Sequence, residues 1–152
     1  MKIRHALICG AAAGAVVLGV TVAAPAQAAT YPVKFRYFQY DAPGSDTHSN
    51  SQINKEYFTL KNVTGYGVNL KGWTVRDNTG YTYTFTSSYT LKPGKSVRVH
   101  TGKGSNTSTD RYWWRSWYVW NNTGDKATLR SASGAWKDSC SWSSRGPGYI
   151  YC

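Results

Sequence analysis

The sequence predicts an all-β, antiparallel, hairpin-rich domain, and three features of one region predict it. Residues 56–77 read EYFTLKNVTGYGVNLKGWTVRD, and Tyr57, Thr59 and Lys61 alternate there with Phe58 and Leu60. Successive strand side chains point to opposite faces, so this run suits a half-buried strand. Thr64-Gly65-Tyr66-Gly67 supplies a turn, because glycine reaches backbone angles that other residues avoid. Val68 and Leu70 then share a face, and residues 72–77 form a second extended run around Trp73. Asn78-Thr79-Gly80 turns the chain again, and Tyr81, Tyr83 and Phe85 share one face of the strand after it.

Residues 1–28 stand apart from this pattern. Lys2 and Arg4 precede a nearly uncharged apolar run over residues 6–22, and Ala26-Gln27-Ala28 is a small-x-small cleavage site. That layout predicts a secretory signal peptide cut after Ala28. A membrane anchor is the alternative, but the run falls short of the ~20 residues a span needs. Cys9 follows the bulky Ile8 inside the apolar run, which does not suit lipidation. The chain that remains, residues 29–152, is expected to be a secreted, soluble single domain, long enough to bury a sizeable core.

Of 18 basic residues, Lys2 and Arg4 leave with the leader, so 16 face 7 acidic ones. The excess fits contact with a polyanion such as nucleic acid or an anionic wall polymer, and equally fits simple solubility. Cys140 and Cys152 are the cysteines of the mature chain. In an oxidising exterior they read as one disulfide tying down the C-terminal tail. Closing so short a loop stabilises by about 3 kcal/mol. Two thiols with no nearby histidine do not make a zinc site.

Residues 33–40 are the first strand, with Phe35, Tyr37 and Gln39 on one face and Arg36, Phe38 and Tyr40 on the other. Aromatics on both faces predict partial cover on each side. Residues 41–54 show no helical periodicity and read as an ordered loop, opened by the turn pair Pro43-Gly44. Asp41, Asp46, Asn50, Asn54 and Glu56 gather oxygen ligands of the kind calcium takes. Their spacing is not that of an EF-hand. The preferred reading is that the Asp and Asn side chains cap turns and that Glu56 accepts backbone donors from the loop.

Leu91 to His100 reads as a Pro-Gly turn feeding a strand, with Val97 and Val99 inward and Arg98 and His100 outward. Residues 101–109 are rich in Gly, Ser and Thr and form a loop. The segment 111–120, RYWWRSWYVW, holds four of the seven tryptophans. A small domain cannot bury all of them. Those left outside, Trp113, Trp114 and Trp117 beside Arg111 and Arg115, are the candidate ligand-binding residues, since aromatic faces next to cations suit nucleobases or sugar rings. A mostly buried cluster with one or two snorkelling indoles is the preferred alternative. Residues 121–125 turn, residues 126–130 form a strand with Ala127 and Leu129 inward, and residues 135–139 form the expected last strand. Residues 141–151 read as an extended tail.

The motifs carry a resemblance as well. The order E-Y-x-x-L-K-N, V-N-L-K-G-W-T-x-R-D, Y-x-F and L-x-P-G-x-x-V-x-V-H-T-G, with Y-D-x-P-G-x-D upstream and W-N-N-x-G-D-x-A-T-L-R downstream, resembles the lamin tail domain family in its secreted bacterial branch. The similarity runs from about Val33 to Cys140. It implies an immunoglobulin-like antiparallel β-sandwich used as a binding or scaffolding module, with Trp120 and one earlier aromatic in the core. It implies no catalytic residues.

The residues agree. His48 and His100 are the mature chain's histidines, and the chain has no G-x-S-x-G elbow or H-E-x-x-H. His100 reads as structural, donating to a neighbouring loop. No enzyme and no cofactor are expected. Three roles stay open: a module of the cell exterior making protein or cell-wall contacts, a binder of nucleic acid or anionic wall polymer, and a carbohydrate-binding module.

Overall fold

The computed structural model describes residues 31–152. The expected leader over residues 1–28 and Cys9 lie outside the described residues. In chain order the elements are β1 (Val33–Gln39), α1 (Asn50–Ile53), β2 (Tyr57–Asn62), β3 (Val68–Asn69), β4 (Thr74–Arg76), β5 (Thr82–Thr84), β6 (Thr90–Leu91), β7 (Ser96–His100), β8 (Asp110–Tyr112), β9 (Asp125–Arg130), β10 (Trp136–Trp142) and β11 (Tyr149–Tyr151). A five-stranded sheet runs β11-β1-β2-β7-β8, a four-stranded sheet runs β10-β9-β4-β5, and β3 pairs with β6. β7 and β8 pair in parallel, and the other ladders are antiparallel.

The two larger sheets bury their apolar faces against each other. Phe35, Phe38, Phe58, Leu60, Val97 and Val99 come from one, and Val75, Tyr83, Ala127, Leu129 and Trp142 from the other. Each Val, Leu or Phe among them contributes about 1.5–3 kcal/mol by leaving water. Aromatic edges set the spacing: Trp120 meets Phe38 at 4.9 Å and 83°. The result is the immunoglobulin-like sandwich, all-β but for one short helical turn.

Asn62 fixes the bend that carries the chain from β2 in the five-stranded sheet to β3, which pairs with β6 and not with β2, so this strand-turn-strand unit is not a hairpin. Asn62 is buried, and its amide donates to the carbonyls of Tyr66 at 2.6 Å and Leu91 at 2.9 Å while its oxygen accepts the Thr64 N–H at 2.9 Å. Gly72 has φ +79°, and a Cβ there would meet Ala132 Cβ at 2.9 Å. A side chain at that position would be strained twice over.

Three further expectations need correction. In β1 the register slips between Phe35 and Tyr37, a β-bulge at Arg36. Phe35 and Phe38 therefore both point inward, with ring centroids 5.1 Å apart, and Tyr37 turns outward with Gln39. Residues 50–53, read as loop, form α1, capped by Ser49, whose side chain accepts the Gln52 N–H. One turn is too short for periodicity to show. The last strand is also not residues 135–139: β10 continues to Trp142, and the presumed tail returns as β11 on the edge of β1. The disulfide Cys140–Cys152, Cα atoms 5.7 Å apart, holds the end of β11 to β10. Among the described residues no helix is long and apolar enough to cross a membrane.

Candidate functional site

The outward face of the five-stranded sheet carries an ordered grid. Strand register aligns Tyr149, Gln39, Tyr57, His100 and Tyr112 in one row, and Tyr151, Tyr37, Thr59, Arg98 and Asp110 in the next. A third row places Lys34 directly opposite Lys61, with Ser96 beside them. Tyr151 and Tyr149 are 69% and 40% exposed at the edge.

The rings stand against one another. Tyr37 lies near-parallel to Tyr57, 5.6 Å apart at 30°, and to Tyr149, 5.8 Å apart at 23°. His100 stacks on Tyr112 at 5.0 Å and 15°. The Arg98 guanidinium sits 4.5 Å over the Tyr57 ring. Tyr112 packs so closely over Gly104 that a Cβ there would collide with the ring. The ring faces are thus largely engaged with one another. What the row offers outward is edges and hydroxyls. Burial first, then the Tyr57 neighbour, pushes the Tyr37 hydroxyl up to about 12, so it stays protonated at neutral pH and donates to Gln39 Oε1 at 2.7 Å.

The acidic side chains are mostly spent elsewhere. Glu56, Asp77 and Asp125 are buried. Asp125 accepts the N–H groups of Asn78 at 3.2 Å, Asn121 at 3.1 Å and Lys126 at 2.7 Å. Asp77 accepts Gly80 N–H at 2.6 Å and the Thr79 hydroxyl. Asp138 accepts the Phe35 N–H at 2.8 Å. Glu56 accepts the Thr101 hydroxyl at 2.7 Å and the N–H groups of Val119 at 2.8 Å and Trp120 at 3.3 Å. So four of the seven carboxylates satisfy main chain. Among the described residues the ion pairs are His100–Asp110 at 3.1 Å and Arg145–Asp41 at 3.5 Å. Lys34 and Lys61 belong to neither, although like charges directly opposite each other destabilise a ladder.

A lamin tail domain family model matches residues 26–144. The chain belongs to the lamin tail domain family. No curated protein is similar enough to be matched to it. In this lamin tail domain the match takes in β1 to β10 and stops before β11, and the family is one of structural and binding domains.

The tryptophan-rich segment of the lamin tail domain does not form one platform. Trp120 is core, and Trp113 packs partly buried against Tyr83 and Trp120. Trp114 and Trp117 are 63% and 59% exposed. Arg111 lies 4.0 Å over the Tyr89 ring, away from them, and also donates to the carbonyls of Thr107 and Asp110. Arg115 covers Tyr81 at 4.5 Å. The two cations expected beside exposed indoles thus each cover a tyrosine.

The calcium candidates are likewise dispersed. Asn50 and Asn54 both donate to the Lys103 carbonyl at 2.9 Å, clamping the loop after β7. Asp41 pairs with Arg145, and Glu56 faces Val119. Glu56 does accept backbone donors, but from residues 119–120 rather than from its own loop. Among the described residues no group of three or more His, Cys, Asp or Glu is placed to hold a metal ion.

His100 has both ring nitrogens engaged, Nδ1 at 2.7 Å from the Asn54 carbonyl and Nε2 on Asp110. The Thr109 hydroxyl and then His100 hold the Asp110 carboxyl below its usual range. The depression beside Asp110 is lined by Thr59, Ser96, Arg98 and Thr109, not by His100. Sequence alone does not mark the tyrosine row as a site. Its one signal was the presence of aromatics on both faces of β1.

Proposed function

We propose that this chain is a secreted, non-catalytic binding module that holds an anionic wall polymer against the outward face of its five-stranded sheet. The carrying observation is the segregation of charge. Four of the seven carboxylates cap main chain, while Lys34, Lys61 and Arg98 stand on the face with, among the described residues, no carboxylate in salt-bridge contact; Asp110, beside Arg98 in the same row, is paired with His100. An anionic chain laid over them relieves the Lys34–Lys61 repulsion and gains charge-assisted hydrogen bonds. Tyrosine hydroxyls beside the cations add neutral donors for sugar or phosphate oxygens. The leader-like residues 1–28 support secretion.

The ring geometry favours a polymer read through its charges and hydroxyls over single-stranded nucleic acid. Base recognition needs open aromatic faces, and here Tyr37 stacks on Tyr57 and His100 on Tyr112, with Tyr57 and His100 tilted at 52° against each other. The absence of a catalytic role rests on the same site: both His100 nitrogens are engaged, and its acidic partner sits at an open depression.

The test is retention of the oxidised protein, residues 29–152, on phosphodiester wall polymer, single-stranded DNA and peptidoglycan stripped of that polymer, at low and high salt. Tight retention on the wall polymer that is lost at high salt supports the proposal. Tighter retention on DNA, or salt-resistant retention on peptidoglycan alone, overturns it.

A further inference from the structure

The geometry points to a second binding site, for a neutral pyranose ring, in a cleft at the end of the sandwich between Trp117, Tyr118 and Asp46. The cleft has a volume of about 390 Å³ and is lined also by Trp120, Asn122 and Arg145. That volume falls within the ~300–1,000 Å³ of small-ligand sites. It lies apart from the sheet face and does not depend on what binds there.

Three observations carry it. First, His48 stacks on the Trp117 indole at 3.7 Å and 13°, yet Trp117 remains largely exposed. His48 covers one face of the indole and is not part of the cleft wall, to which Trp117 contributes. His48 holds this position with φ +54°, a strained conformation of the kind that gathers at functional sites. Second, Trp120 Nε1 is buried and, among the described residues, has no hydrogen-bond partner, Trp120 being only 2% exposed, while the buried Tyr118 Oη lies against the Asp46 carboxylate. Buried donors without a partner are rare in folded proteins. Both residues line this cleft. Third, the rim supplies an exposed carboxylate at Asp46, an amide at Asn122, and an Arg145 guanidinium partly engaged by Asp41.

A pyranose fits that set. Its C–H face lies on an indole, its ring and hydroxyl oxygens accept from N–H and O–H groups, and its hydroxyls donate to a carboxylate. Burial first, then the Asp46 carboxylate, pushes Tyr118 up to about 12, so it acts as a donor. The same carboxylate at the rim disfavours a phosphate-bearing ligand, which separates this site from the basic face.

The experiment titrates ¹⁵N-labelled protein, residues 29–152, with cellotetraose, chitotetraose and maltotetraose while following the tryptophan Nε1–H resonances. A saturable shift of the Trp117 and Trp120 resonances with at least one of the three is expected, unaffected by salt. Trp117→Ala, an exposed substitution, should weaken that binding about tenfold. Asp46→Asn should weaken it too, and Lys34→Gln should leave it unchanged. No saturable shift with any of the three, or binding undiminished in Trp117→Ala, overturns the inference.

Discussion

Glu56 Oε1 accepts the backbone N–H of Val119 at 2.8 Å, joining positions 63 residues apart. The carboxylate also takes the Thr101 hydroxyl and the Trp120 N–H, so one buried side chain at the start of β2 positions both the loop after β7 and the end of the tryptophan segment. Glu56→Ala leaves these buried donors unmade, at about 1–3 kcal/mol each. It is expected to destabilise by about 3 kcal/mol or more in urea melts. Glu56→Gln keeps one acceptor and should cost less than Glu56→Ala.

The same residue gives stability a pH slope. Burial outweighs the three donated hydrogen bonds and pushes the Glu56 carboxyl from 4.5 up to about 8. The folded chain therefore holds a proton that the unfolded chain has released. This contribution is full below about pH 4.5 and declines as pH rises toward about 8. Asp110 acts in the opposite direction. Its carboxyl is lowered, so its stabilisation is present above the ordinary carboxylate range and lost in acid. Melts of the parent and of Glu56→Gln across this range should differ, the variant losing the alkaline decline.

On the sheet face, Lys34→Gln and Lys61→Gln should each weaken wall-polymer binding and flatten its dependence on salt. By analogy with single-stranded nucleic acid, each lost phosphate contact lowers the log–log slope by about 0.7. Removing one of two opposed lysines also relieves repulsion in the free protein. Thermal stability is thus expected to hold or rise slightly while affinity falls, a split that salt-series binding and melting curves together resolve.

Reducing Cys140–Cys152 releases an edge strand. β11 is three residues long and pairs with β1, with the Cys152 N–H donating to the Arg36 carbonyl at 3.2 Å. The loss should reach about 3 kcal/mol at most. Hydrogen exchange should rise first at Ile150 and at its β1 partner Phe38, before the β2–β7 ladder. Uniform exchange across both sheets would count against this order.

Calcium should leave the melting temperature of EDTA-treated protein unchanged. Asn50 and Asn54 direct their amide nitrogens at the Lys103 carbonyl, and Glu56 is turned into the core. A calcium-dependent rise in Tm would contradict that arrangement.

Local chemistry made the strands legible. Alternation in Tyr57–Asn62 and the inward Val97 and Val99 appear as read, because a strand's period of two is written in adjacent residues. The bulge at Arg36 escaped because nothing local marks one extra residue. It is set by which partner Leu60 and Thr59 find on β1. β11 escaped because its one partly buried residue, Ile150, is too little pattern to signal a strand.

The sequence by itself determined the all-β class, the basic surplus, the cysteine pair and the tryptophan segment as the place to look for a ligand. Only the tertiary structure decided where those features act. Register brought Tyr149, Tyr57, His100 and Tyr112 from four strands into one row, and Lys34 opposite Lys61. Packing turned Arg111 to Tyr89 and Arg115 to Tyr81, which separated the cations from the exposed Trp114 and Trp117. The reason is physical: composition and periodicity are properties of neighbours along the chain. A binding face is made by residues distant in sequence, and the need to bury apolar surface and to pair every main-chain donor decides which of them meet.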